Sequence, residues 1–144
     1  MKILYTGGTF DLFHFGHQSF LKKCSEYADV VVVSLNRDDF VEKFKGAAPI
    51  MSYDERLESL RHCPYVDKIV ENFSNADSKP SILSVNPDII AVGDDWKTKD
   101  YHKQMRIDQE WLNHHEIELI YLPYTKEISS SEIKRRIILS AKND

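Results

Sequence analysis

Ile3-Leu4-Tyr5-Thr6-Gly7-Gly8-Thr9-Phe10-Asp11-Leu12-Phe13-His14-Phe15-Gly16-His17 is the stretch from which the fold can be worked outward. Its opening apolar run, Ile3–Tyr5, is expected as a short buried strand that ends at Gly7-Gly8. Beyond the glycines, Phe13, His17, Phe20, Leu21, Cys24 and Ala28 recur at three- and four-residue spacing, the stripe of a helix packed on one face. Val30-Val31-Val32-Val33 follows as an unalternated β-branched run, the pattern of a strand covered on both faces. Strand, glycine turn, helix and buried strand make a βαβ unit, in which the two strands run parallel.

The same alternation continues. Ser52-Tyr53-Asp54-Glu55 has capping-box spacing and predicts a helix through Leu57, Leu60 and Arg61, with Pro64 marking its end or the turn just after it. Lys68–Val70 is a third strand, Ile82–Val85 part of a short helix, and Asp88–Val92 a fourth strand that ends at Gly93-Asp94-Asp95. Asp100–His115 reads as one polar helix and Glu118–Leu122 as a fifth strand stopped by Pro123. Ser129-Ser130-Ser131-Glu132 repeats the capping-box spacing before Ile133, Ile137 and Ile138. The expected fold class is α/β: one domain over residues 1–144, doubly wound around a mostly parallel five-stranded sheet.

Charge and composition narrow the function. Hydrophobic residues are 42% of the 144, charged residues 29%, and the net charge is −4 with no basic tract. A globular chain is therefore expected, without whole-molecule attraction to nucleic acid or an anionic membrane and with room for a local positive pocket. No apolar run is long enough to span a bilayer, and Met1-Lys2-Ile3 shows no signal-peptide pattern. Two cysteines, Cys24 and Cys63, are too few for a disulfide framework. A cytoplasmic protein is expected, with Cys24 as core filler.

In doubly wound sheets, ligands bind beyond the carboxyl ends of the strands. The segments there are Thr6–His17, Asn36–Lys45, Gly93–Trp96 and Tyr124–Ser131, which are also rich in Gly, His, Lys, Ser and Asp. His14 and His17 stand at a helix start directly after a glycine turn, where free N–H groups and the helix dipole favour phosphate. Imidazoles in that place can donate hydrogen bonds to a phosphoryl oxygen as charge develops on it. Metal binding by the pair is a weaker rival, because no third ligand is near. Lys43 and Lys45 read either as a phosphate clamp or as part of a solvated loop.

Gly8-Thr9-Phe10-Asp11-x-x-His14-x-Gly16-His17 and Ile128-Ser129-Ser130-Ser131-x-Ile133-Lys134 resemble the cytidylyltransferase-like nucleotidyltransferases, whose signature is HxGH. Asp38-x-Phe40, Ser52-Tyr53-x-x-Arg56, Tyr65-Val66-Asp67 and Gly93-Asp94-Asp95-Trp96 extend the resemblance over nearly the whole chain, nearest to the glycerol-3-phosphate cytidylyltransferase branch. The resemblance implies a Rossmann-like fold and a reaction of CTP with a small phosphorylated acceptor, magnesium accompanying the triphosphate without a dedicated protein metal site. It implies that His14, His17, Lys43 and Lys45 act on the transferring phosphates. Thr9, Phe10, Gly16, Gly93, Asp94, Thr125, Ile128, Ser129, Ser130 and Ser131 would hold the nucleotide. Asp11, Lys43, Trp96 and Lys79 would face the acceptor. A homodimer touching through Tyr65-Val66-Asp67 is also implied.

The chain departs from the family pattern at Tyr124 and Pro64, where arginines are usual, at Glu127, where glycine is usual, and in a longer segment between Trp96 and Tyr121. Other acceptors, another nucleotide, or a non-catalytic nucleotide-binding module are the alternatives these departures leave open.

Overall fold

The computed structural model describes residues 1–73, 77–94 and 105–142. In chain order the elements are β1 (Ile3–Gly8), α1 (Phe15–Tyr27), β2 (Val30–Asn36), α2 (Asp38–Lys45), α3 (Tyr53–Arg61), β3 (Lys68–Asn72), α4 (Lys79–Val85), β4 (Ile89–Gly93), α5 (Gln109–His114), β5 (Glu118–Leu122) and α6 (Ser130–Lys142). The sheet order is β3-β2-β1-β4-β5, and all four pairings are parallel. The chain winds outward from β1 to β3 and then returns to place β4 on the other side of β1. That reversal opens a crevice beyond the carboxyl ends of β1 and β4.

Strand alternation sorts the core into two layers. Leu4, Val31, Val33, Ile89 and Ala91 face α1 and α3 with Phe20, Leu21, Cys24 and Leu60. Tyr5, Ile90 and Val92 face the other side, with Ile82 of α4 and Leu112 of α5. Both faces are covered, which is why the strands read as continuous apolar runs. Cys24 is fully buried, and burial pushes its thiol up to about 12, the behaviour of a packing residue.

Several elements differ from the sequence expectation. The opening strand ends at the glycines as expected, with Gly8 its last residue, but it extends through Thr6 and Gly7 rather than stopping at Tyr5. Asn36–Lys45 contains a helix: Asp38 and Asp39 occupy its first turn, Lys43 and Lys45 its last, matching the dipole at both ends. The expected continuous helix over Asp100–His115 is not continuous where it is described. Arg106 takes a left-handed φ of 56°, and Asp108 caps a new helix by accepting the N–H of Trp111. The Ser52 capping box is complete in both directions. At the closing motif Ser129 accepts the N–H of Glu132, while the Glu132 carboxylate pairs with Arg135 and Arg136 instead of reaching back.

Arg56 of α3 is fully buried and binds four groups from separate segments. Nε donates to the Met51 carbonyl at 3.1 Å, and Nη1 to the carbonyls of Thr9 (2.8 Å) and Asn36 (2.9 Å). Nη2 lies 2.6 Å from the Asp38 carboxylate. One guanidinium thereby ties the exit of β1, the end of β2, the start of α2 and the loop before α3. Removing it strands buried acceptors and a carboxylate, a loss of about 3–5 kcal/mol. Arg56→Ala and Arg56→Lys are both expected to lower stability in urea titrations, the alanine by that amount. A change under 1 kcal/mol for Arg56→Ala would show that the fold does not need this hub.

Candidate active site

The crevice is a cavity of about 660 Å³, an ordinary size for a small-molecule site. Its walls come from the exit of β1 (Gly7 to Asp11), the ends of β2 to β4 (Asn36, Asn72, Gly93), α1 (His17, Phe20), α2 with its following loop, and the start of α6.

Between β1 and α1 the backbone turns through two non-glycine residues of positive φ, Phe10 (52°) and Leu12 (54°). This strained turn lays the Phe10 ring across Gly8, where an added Cβ would sit 2.7 Å from the ring. His14 then caps α1. Its Nδ1 accepts the Gly16 N–H at 3.1 Å, while His17 Nδ1 accepts the His14 N–H at 3.3 Å, a capping box built from two imidazoles. Gly16 has no room for a side chain, since a Cβ would fall 2.9 Å from the His14 ring and 3.0 Å from Ile128 Cγ2.

That box determines the protonation state. Both Nδ1 atoms accept hydrogen bonds, so each neutral ring carries its proton on Nε2. The rings stack with centroids 3.8 Å apart and are 8% (His14) and 7% (His17) exposed. Burial pushes the His17 pKa down to about 3, helped by His14 and opposed by Asp11; burial also lowers His14. His14 Nε2 is buried without a hydrogen-bond partner among the described residues. A buried donor without an acceptor is costly, and it suits an incoming anion.

The other sequence candidates divide. Thr9, Phe10, Asp11, His17, Lys45, Gly93, Ser129, Ser130 and Ser131 line the cavity. His14 stacks against His17 without being part of the lining. Gly16 directs its N–H to His14, and Ile128 is buried beside it. Lys43 is exposed on α2 and, unlike Lys45, does not line the cavity. Thr125 and Asp94 stand just outside; the Asp94 carboxylate accepts the Tyr124 N–H at 3.3 Å. Lys79 pairs with Asp77 at 3.8 Å, away from the cavity lining. Trp96 and Asp95 lie outside the described residues. Asp11 accepts the N–H groups of Ile50 (2.8 Å) and Met51 (2.9 Å), pinning the loop before α3. Its carbonyl accepts the Ser130 hydroxyl at 2.6 Å, drawing α6 to the β1 exit.

Residues without a role in the sequence reading also line the cavity: Lys134, Tyr124, Asn36, Asn72 and the stacked pair Phe40 and Phe44. Lys134 lies one turn beyond Ser130, with Nζ 3.7 Å from Asp11 Oδ2. Side chains on a helix lean toward its N-terminus, so Lys134 adds charge over the Ser129–Ser131 turn. Its signal was the i, i+4 spacing from Ser130.

A depressed His17 pKa has a stability consequence with a definite sign. Below its ordinary value of 6.5 the unfolded chain takes up a proton that the folded chain refuses down to about 3. Stability contributed by neutral His17 is therefore present above pH 6.5 and declines as pH falls toward 3. Chemical denaturation from pH 7 to pH 4 is expected to show this decline, and His17→Gln to flatten it. Equal slopes for the two proteins would contradict a buried neutral imidazole.

Comparison with known proteins places this geometry. The family model described as cytidylyltransferase-like matches residues 5–136. Glycerol-3-phosphate cytidylyltransferase of Bacillus subtilis (strain 168) is 34% identical over 139 residues, covering 95% of this chain and 98% of that protein. FAD synthase of Thermococcus sibiricus is 35% identical over 133 residues, covering 92% of this chain and 90% of that protein. In fold the chain is similar to the crystal structure of a lipopolysaccharide core biosynthesis protein from Thermoplasma volcanium, with TM-score 0.66 and 23% identity, over 88% of this chain and 99% of that one. The relatives are nucleotidyltransferases, and the chain belongs to the cytidylyltransferase-like family.

Proposed function

We propose that the protein transfers a cytidylyl group from CTP to sn-glycerol 3-phosphate, giving CDP-glycerol and pyrophosphate. The observation that carries the chemistry is the neutral histidine pair, whose Nε2 protons are set by their own capping box. The acceptor is supported by the near end-to-end match to the Bacillus subtilis protein.

In this reading an oxygen of the acceptor phosphate attacks the α-phosphorus in line. The bond from that phosphorus to the β-phosphate bridge breaks, and pyrophosphate leaves. His14 and His17 donate from Nε2 to the α-phosphoryl oxygens, most strongly when five ligands surround the phosphorus. Ser129, Ser130 and Ser131 open α6, whose N-terminus favours the β- and γ-phosphates, with Lys134 beside them. Lys45, on the opposite wall, faces the acceptor phosphate.

Magnesium would arrive on the triphosphate and offset its charge. Asp11 supplies a carboxylate to the described lining, and both its oxygens already accept backbone N–H groups. Phosphate oxygens and water would therefore complete the ion's shell.

The stacked Phe40 and Phe44 on the α2 wall, together with the match to an FAD synthase, favour one second reading. FAD is an AMP unit joined to flavin mononucleotide, so here ATP would be the donor and a ring-bearing phosphate the acceptor.

Pyrophosphate release measured with CTP or ATP against glycerol 3-phosphate, phosphoethanolamine and flavin mononucleotide separates these readings. Turnover is expected to be highest with CTP and glycerol 3-phosphate; activity confined to ATP and flavin mononucleotide would replace this assignment. In the active pair, His17→Ala is expected to lower kcat by about 10²–10³ while the chain stays folded. Steady-state kinetics also divide the lysines. Lys134→Ala is expected to raise KM for the nucleotide and Lys45→Ala KM for the acceptor, each by about tenfold. The reverse pattern would exchange their places.

A further inference from the structure

Sheet register places three polar residues in a row across the strand ends. Gly8 pairs with Leu35, so Thr9 follows beside Asn36, and Asn36 pairs with Asn72. Their side chains are joined. Ser81 Oγ donates to Asn72 Oδ1 at 2.9 Å, Asn72 Nδ2 to Asn36 Oδ1 at 2.8 Å, and Asn36 Nδ2 to Thr9 Oγ1 at 3.2 Å. Thr9, Asn36 and Asn72 line the cavity, while Ser81 is fully buried on α4.

Asparagine is a poor strand residue, and a buried amide is costly unless bonded. The geometry suggests what this row achieves. An amide donates only through nitrogen and accepts only through oxygen, so the chain has a direction. It runs from Ser81 toward Thr9 and ends with the Thr9 hydroxyl as acceptor. The hydroxyl hydrogen is then left to donate, and no described residue accepts it. Turning both amides over would make Thr9 donate to Asn36 and leave only its lone pairs for a ligand. A phosphate oxygen, itself an acceptor, favours the first direction and disfavours the second. Arg56 holds the carbonyls of the same two residues, Thr9 and Asn36, so the side chains align on a fixed backbone.

We infer that Asn36 and Asn72 are positioning residues for nucleotidyl transfer, acting through Thr9 to fix its hydroxyl as a donor to a nucleotide phosphate oxygen. This rests on the reading of the cavity as a nucleoside triphosphate site and is independent of which acceptor is used.

A double-mutant cycle tests it. Asn72→Leu, uncharged and of similar size, is made in the natural chain and in a Thr9→Val chain; CTP and ATP binding is measured by calorimetry, and thermal unfolding confirms the fold. Asn72→Leu is expected to weaken binding of the preferred triphosphate about tenfold beside Thr9 and less than twofold beside Val. KM for the acceptor is expected to stay unchanged. Equal losses in both chains, or no loss in either, would overturn the inference, because Asn72 would then act by packing or not at all. Should Asn72→Leu fail to fold, Asn36→Ser in the same cycle decides by the same criterion. Binding of CTP without transfer to glycerol 3-phosphate would defeat the acceptor assignment alone, the cycle still deciding the relay. A natural chain that binds neither triphosphate would overturn both.

Discussion

A permanent positive charge buried beneath the cavity is the constraint on which the site depends. Arg56 is solvent-free, so it persists only because three carbonyls and one carboxylate surround it. Those acceptors come from three separate stretches of chain, at Thr9, at Asn36 and Asp38, and at Met51, and Thr9, Asn36 and Met51 belong to cavity walls or to the loop behind one. Lysine could not serve them, because its single ammonium lacks the planar fork. The cavity is thus shaped by a residue outside its lining.

On that frame, folding and chemistry share the same hydrogen bonds. The two imidazoles begin α1 as a reciprocal cap, and by accepting through Nδ1 they carry their protons on Nε2, the atoms that would meet a phosphate in the proposed reaction. Burial holds the pKa of both rings down and favours the neutral form, so in the proposed reaction they would act as hydrogen-bond donors to phosphate rather than as cations. The Ser130 hydroxyl meanwhile ties the start of α6 to the Asp11 carbonyl, bringing a second helix N-terminus to the same cavity. Tyr124, standing where family arginines are usual, lines the wall and adds no charge; Lys134 adds one from α6.

Strand and helix periodicity made the sheet legible, because Val30–Val33 and Asp88–Val92 carry a burial pattern that needs no tertiary knowledge. The Ser52 cap and the histidine pair were legible for a similar reason: each motif spans four residues. What escaped was decided by assembly. Arg56 stands in the Ser52-Tyr53-x-x-Arg56 match, but its burial emerges only when the chain at Thr9, at Asn36 and Asp38, and at Met51 closes around it. Asn36 and Asn72 are 36 residues apart and become neighbours only through parallel register. Lys43 and Lys45 read in sequence either as a phosphate clamp or as part of a solvated loop, but they lie on a helix, where residues two apart point in different directions, and of the two only Lys45 lines the cavity. The break at Arg106 does not show in the polar pattern of Asp100–His115, within which the Asp108 carboxylate starts a new helix.

In the proposed reaction two neutral histidines, each protonated on Nε2, receive the nucleotide's phosphates. Nitrogen-15 NMR of the imidazoles, recorded between pH 6 and pH 8 without and with CTP and ATP, tests it most directly. His14 and His17 are both expected to show the Nε2–H neutral form across that range, with the bound triphosphate shifting their Nε2 resonances while Nδ1 stays an acceptor. An imidazolium at pH 7, an Nδ1–H form of either ring, or spectra indifferent to both triphosphates would contradict it.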